Sequence, residues 1–222
     1  MTRKVPRTAE SEGTGYGSGR ARLLVAAEKL FGERGIDNVS LRQVGVVAGQ
    51  SNNSAIALHF GTKDGLIGAI LEARRPVIDA IRQDRLQKLQ ESGKKPTLRD
   101  LLCCLMMPWA DDVDAEGGHP YACFIAQLMW SNRDYYPLSN LGELSPAAAE
   151  VVEMIRAATP HLEDNEFSIR LRLMTGMFLT AVVHRGKFSL GEELGGSEQG
   201  IFERVLDIAA LFFASPNRLN FS

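Results

Sequence analysis

The chain has 222 residues, 45% of them hydrophobic, and a formal net charge of −2. That content suffices for a substantial core in one or two domains, and the charge excludes a surface coated in positive potential. Three cysteines, Cys103, Cys104 and Cys123, form no CxxC pair, and no run reaches the ~18 apolar residues of a membrane span. The first twenty residues hold no apolar segment of signal-peptide length. A soluble, cytoplasmic protein without a disulfide framework is expected.

Residues 1–19 are rich in Gly, Ser, Thr and charge and are expected to be a disordered basic tail. Arg3, Lys4 and Arg7 in it suit either an arm along a polyanion or a solvated tail. From residue 1 to 63 the chain carries nine Lys/Arg and five Asp/Glu, a balance of +4, which leaves −6 for the remainder. A basic amino-terminal module on an acidic body suits contact with a polyanion through one end only.

Residues 20–34 repeat apolar side chains at helical spacing, Leu23, Leu24, Ala27, Leu30 and Phe31, and Gly35 closes that helix. Ser40 and Gln43 then have the spacing of a capping box, and Leu41, Val44 and Val47 are expected on one face of a second helix. Gly49 ends it by accepting a left-handed turn. A third helix follows at once. Its polar start, Asn52, Asn53 and Ser54, suits both helix capping and hydrogen bonds to base edges or phosphates. Two short helices around a polar turn over residues 40–60 have the layout of a helix-turn-helix.

Thr62 caps a longer helix with Leu66, Ile67, Ile70 and Leu71 on one face, which Pro76 is expected to bend or end. Further helices are expected over 77–91, 97–110, 119–132, 146–158, 165–186 and 197–214, separated by Gly, Pro, Asn and Asp clusters. No segment alternates as a strand does. The fold class is therefore all-α.

Residues 20–71 resemble the amino-terminal DNA-binding domain of TetR-family transcriptional regulators. The resemblance rests on AAEKLF with Gly35, VSLRQV, the AG turn, a short helix ending in His59-Phe60, and GTKDGL. The AGQSNNSA form is similar to a subgroup with one additional residue between the turn and the HF pair. Two positions depart from the family pattern. Leu58 replaces the common tyrosine, whose hydroxyl is expected to hold a phosphate, and Gly45 replaces alanine.

The resemblance implies an amino-terminal three-helix DNA-binding domain over residues 20–65 and a larger helical ligand-binding and dimerisation domain over 66–222. It implies that Gln50, Ser51, Asn52, Asn53 and Ser54 make polar contacts with DNA. Arg42, Gln43, His59 and Lys63 would position the backbone, although His59 equally suits packing beside Phe60. Lys63 at a helix start brings an ammonium to the favourable end of the helix dipole for a phosphate.

In the body, residues 167–183 and 201–213 are apolar around more than one face, which suits one core and a second partner. A four-helix bundle between two subunits follows, and with it an inverted-repeat operator. Cys104, Met107, Trp109, Tyr121, Phe124, Met129, Trp130, Met174 and Phe178 are candidates to line a pocket for a small, partly apolar effector, and they suit an ordinary core as well. A ligand-responsive repressor is the expectation. The alternative is a helical dimeric sensor that has lost DNA binding. No nucleophile elbow, phosphate loop or HExxH motif marks an enzyme, the spacing of Cys104, His119 and Cys123 fits no zinc pattern, and no cofactor or metal is expected.

Overall fold

A computed structural model describes residues 15–50, 58–131, 133, 144–185 and 198–216. Every regular element among them is a helix. The first, α1 (Gly15–Arg34), starts ahead of the Arg20 expected from the sequence. Glycines 15, 17 and 19 are poor helix formers, but Gly19 is buried and a Cβ there would stand 2.6 Å from Gln50 Nε2. Gly19 thus packs closely against the Gln50 side chain.

Gly35, at φ 84°, closes α1 with its N–H on Phe31 O at 3.0 Å, and Asn38 Nδ2 donates to Arg34 O at 2.9 Å. In α2 (Leu41–Val47) Ser40 and Gln43 form the expected capping box. Val44 is fully buried and Leu41 packs on the core, but Val47 is 57% exposed and does not share their face. The buried side runs instead through Leu41, Val44, Gly45 and Ala48, the i, i+3, i+4 and i+7 positions of one helical face, and Val47 falls off it.

Thr62 caps α3 (Lys63–Glu91) through its side chain, which accepts from Gly65 N at 3.0 Å. Pro76 lies inside this helix and does not end it. The lost N–H is offset by anchors on both sides of the proline. Upstream, Arg74 meets Glu28 of α1 at 3.1 Å and pairs with Asp112. Downstream, the buried Arg82 donates to Leu105 O and to Asp79, and Arg85 pairs with Asp111. The long helix is thus held by arginine contacts as well as by Ile78 and Leu86, which are buried in the core.

The helix expected over 97–110 is two, α4 (Leu98–Met106) and α5 (Pro108–Asp111), because Pro108 cannot supply the N–H that would continue the first. Thr97 and Asp100 form a second capping box at the start of α4. Then come α6 (Pro120–Trp130), α7 (Pro146–Ala158), α8 (Asp164–Val183) and α9 (Glu198–Ala214). Proline opens α5, α6 and α7, where its missing N–H costs nothing. Ser145 makes no side-chain cap on α7. Asp79 of α3 does so instead, accepting from the amides of Ala147 and Ala148 at 3.2 Å each and from Ser145 Oγ at 2.6 Å.

Buried residues from Leu23 to Phe213 form one continuous cluster. Its most extensive helix pair is α1 with α6, so the amino-terminal helices and the body share a core rather than a linker. Phe31 of α1 stacks on Phe124 of α6 at 6.2 Å. At the far end, Arg170 of α8 caps α9: its guanidinium donates to Phe212 O, to Ser215 O at 2.8 Å and to Pro216 O at 2.8 Å, and stacks over the Phe212 ring. His161 Nε2 lies 3.1 Å from both Phe213 O and Ser215 O. Carbonyls only accept, so Nε2 is the donor in these contacts.

Candidate nucleic-acid interface

The turn after α2 is built by Ala48 and Gly49. Ala48 N–H closes on Val44 O at 2.9 Å, Gly49 takes φ 69°, and Gln50 N–H reaches Gly45 O at 2.8 Å. Gly45 is buried at that turn. Ser51, Asn52, Asn53 and Ser54 lie outside the described residues.

The remaining candidates divide by what they touch. Arg42 is exposed on α2. Gln43 is exposed too, but its Oε1 accepts from Ser40 N at 2.7 Å and Ser40 Oγ at 2.8 Å, which fixes its amide at the helix start. Gln50 lies half-buried against Gly19, so it braces the turn on α1. His59 is half-buried beside Phe60, with ring centroids 5.9 Å apart, and Arg20 lies over the other aromatic at 5.3 Å. Lys63 Nζ donates to Ile36 O at 3.0 Å, which ties the start of α3 to the turn before α2. Leu58, at 76% exposed, presents an apolar group at the surface where a hydroxyl was expected from the resemblance.

The body residues that the sequence grouped as a pocket are packed. Cys104, Met107, Trp109, Tyr121, Phe124, Met129, Met174 and Phe178 all belong to the continuous core, whereas Trp130 is 50% exposed. Phe124 meets Phe31, Tyr121 lies under the Arg74 guanidinium at 5.1 Å, and Phe178 packs on Phe202 at 5.7 Å. Burial pushes the Cys104 thiol up to about 11, and it raises Cys103 and Cys123 as well. Among the described residues no group of three or more His, Cys, Asp or Glu is placed to hold a metal ion. No described helix is long and apolar enough to cross a membrane.

The helices α8 and α9 each present two apolar faces. Phe167, Leu171, Met174 and Phe178 of α8, with Phe202, Leu206, Ala209 and Phe213 of α9, are buried. On the other side Ile169 and Leu173 of α8, and Ile208 and Leu211 of α9, are 52%, 57%, 54% and 73% exposed. Sequence reasoning missed Arg74 and Arg133, which join the amino-terminal helices to the body. Their partners are distant in the chain, and no local pattern marks them.

A capped short helix, a glycine turn and a long helix set on a helical body give an all-α protein whose amino-terminal layout suits the helix-turn-helix class. Residues 23–70 match the family model for bacterial regulatory proteins of the tetR family, and residues 104–215 match that for the tetracyclin repressor-like C-terminal domain. The chain belongs to the TetR family and is a DNA-binding transcriptional regulator. It is similar to a solved TetR-family transcriptional regulator from Rhodococcus sp., at 18% identity over 89% of this chain and 100% of that one, with a TM-score of 0.48. A TetR-family regulator from Streptomyces coelicolor A3 aligns at 17% identity over 93% of this chain and 100% of that one, with a TM-score of 0.40. No curated protein gives a match.

Proposed function

We propose that the protein is a cytoplasmic, ligand-responsive repressor that binds an inverted-repeat operator as a homodimer. The observation that carries this reading is the second apolar face of α8 and α9, Ile169, Leu173, Ile208 and Leu211, left open to solvent in the single chain. A short reading helix alone buries too little for specific binding, whereas a two-fold pair reads two half-sites. Two copies joined by α8 and α9 in a four-helix bundle meet that need.

In this reading residues 20–65 are the reading head and 66–222 the body. Gln50, Ser51, Asn52, Asn53 and Ser54 read or line the major groove, and Arg42, Gln43, His59 and Lys63 hold the backbone. A small, partly apolar effector binds by displacing part of the packed cluster around Trp109, Tyr121 and Phe178, and favours one spacing of the two heads over the other.

Selection of operators from random duplex DNA by the full chain tests the proposal. Enrichment of an inverted repeat supports it; no enrichment favours the alternative, a dimeric sensor that no longer binds DNA, for which the exposed Leu58 speaks. On the selected operator, Asn53→Ala lowers affinity by roughly 1–3 kcal/mol and relaxes preference at one base pair. Unchanged affinity and preference in a gel-shift titration remove Asn53 from the reading surface.

A further inference from the structure

Arg133 lies just beyond α6, and its backbone is tied to the end of that helix. Ser131 Oγ donates to Leu128 O at 2.7 Å, and the same oxygen accepts the Arg133 N–H at 3.3 Å. The side chain reaches the head. Nη1 donates to Asp37 Oδ1 at 2.8 Å and Nε to Asp64 Oδ1 at 2.9 Å.

These carboxylates stand on either side of the helix-turn-helix. Asp37 is in the turn between α1 and α2, and Asp64 is in the first turn of α3. Lys63 closes the same loop from within the head through Ile36 O. One guanidinium therefore fastens the entry and the exit of the reading segment to the end of α6.

The arrangement differs from an incidental surface pair in two respects. Arg133 is the sheltered partner, its side chain 28% exposed against 62% for Asp37 and 77% for Asp64, so the cation has a defined place. Its planar fork also meets two carboxylates through separate N–H groups, which a single ammonium does less selectively. The Asp37 carboxyl is held below its ordinary range, first by its hydrogen bond from Arg133. Meanwhile α6 lies along α1, with Gly32 of α1 against Cys123, Phe124 and Pro120 of α6. A displacement of α6 would thus bear on α1 through packing, and on the turn before α2 and the start of α3 through Arg133.

We propose that Arg133 is a positioning residue for operator binding: its paired contacts with Asp37 and Asp64 hold both ends of the reading segment to α6 and couple the body to the head. This rests on the reading of residues 20–65 as an operator-binding head. Exposed ion pairs contribute modestly, so the effect on affinity is about 3- to 10-fold.

Full-length Arg133→Gln, the pair Asp37→Asn with Asp64→Asn, and the three combined are compared on the selected operator. Simple charge predicts opposite signs, because removing two anions beside DNA tightens binding while removing a cation loosens it. Positioning predicts that Arg133→Gln and the Asn pair each loosen binding about 3- to 10-fold, and that the combined variant is no looser than either. Tighter binding by the Asn pair, or effects that add in the combined variant, overturns the proposal.

Hydrogen exchange on the DNA-free protein gives an independent readout. Amides of residues 36–40 and 63–66 should exchange faster in Arg133→Gln at an unchanged melting temperature, and unchanged exchange there overturns the proposal. If the wild-type chain selects no DNA, the operator-binding reading fails, and hydrogen exchange still decides whether Arg133 couples head and body.

Discussion

Gly32 sets how closely α1 approaches α6. A Cβ built there would stand 2.9 Å from Cys123 Cβ, 3.1 Å from Phe124 N and 3.2 Å from Pro120 O, and two of those neighbours are backbone atoms that cannot swing aside. Gly32→Ala should cost about 1–3 kcal/mol, read as a lower denaturant midpoint at unchanged m-value. At Cys104 the prediction concerns reactivity. A thiol raised from 9.0 to about 11 holds roughly a hundredfold less thiolate near neutral pH, so alkylation of the folded protein at pH 8 should be slow there and fast after unfolding. Rapid labelling of Cys104 in the native state would refute the burial that raises it.

The residues legible from the sequence are those whose partners sit three or four positions away. Ser40 with Gln43, Gly35, Gly49 and Thr62 are of this kind, since a cap or a turn is completed locally. Arg133 escaped notice because its carboxylates lie 69 and 96 positions distant, and Asp79 because it caps a helix 66 to 69 positions further on. The pocket candidates show a different limit. Methionine, cysteine and aromatic side chains serve a packed core and a ligand cavity equally well, and the burial of eight of the nine suits both.

Among the elements, α8 and α9 carry the sharpest expectation. Their double apolar character was readable because Phe167, Leu171, Met174 and Phe178 already fill one face, while Ile169 and Leu173 fall on another. Ile208→Glu or Leu211→Glu should give a monomer by light scattering at micromolar concentration with helical circular dichroism retained, because neither side chain is needed inside one chain. Loss of the helical signal would place these residues in the core instead. Arg170 governs the same helix pair from within. Arg170→Ala leaves carbonyls at the end of α9 without their donor and should cost about 2–4 kcal/mol in denaturant unfolding. Local propensity misled the reading at residues 15–19 and the expectation that Pro76 ends its helix, while residues 1–14 of the expected tail lie outside the described residues. The glycines of residues 15–19 are helical, with Gly19 packed on Gln50, and Pro76 stays inside α3, flanked by the ion pairs of Arg74 and Arg82.

For the whole molecule, the charge distribution has two measurable effects. The basic balance of residues 1–63 predicts operator affinity that falls linearly in log–log form as salt rises. Acid should act on the body and the head together. Asp37, through its hydrogen bond from Arg133, and Asp100, through Thr97, are both held below the ordinary value of 3.8. Their contribution to stability is therefore complete above that value and is lost as pH falls through the lower folded values. The denaturant midpoint should drop on acidification below about pH 4, and drop less in Asp100→Asn.

The continuous core that joins α1 to α6 also limits how this regulator can be rewired. A chimera cut at residue 65, with the head of a relative grafted onto this body, would set a foreign first helix against a native sixth one. The graft would need a glycine where Gly32 crosses Cys123 and an acid to meet Arg74 where Glu28 does. It would also need carboxylates at the places of Asp37 and Asp64. Heads of this kind are interchangeable only as matched sets with the helix on which they rest.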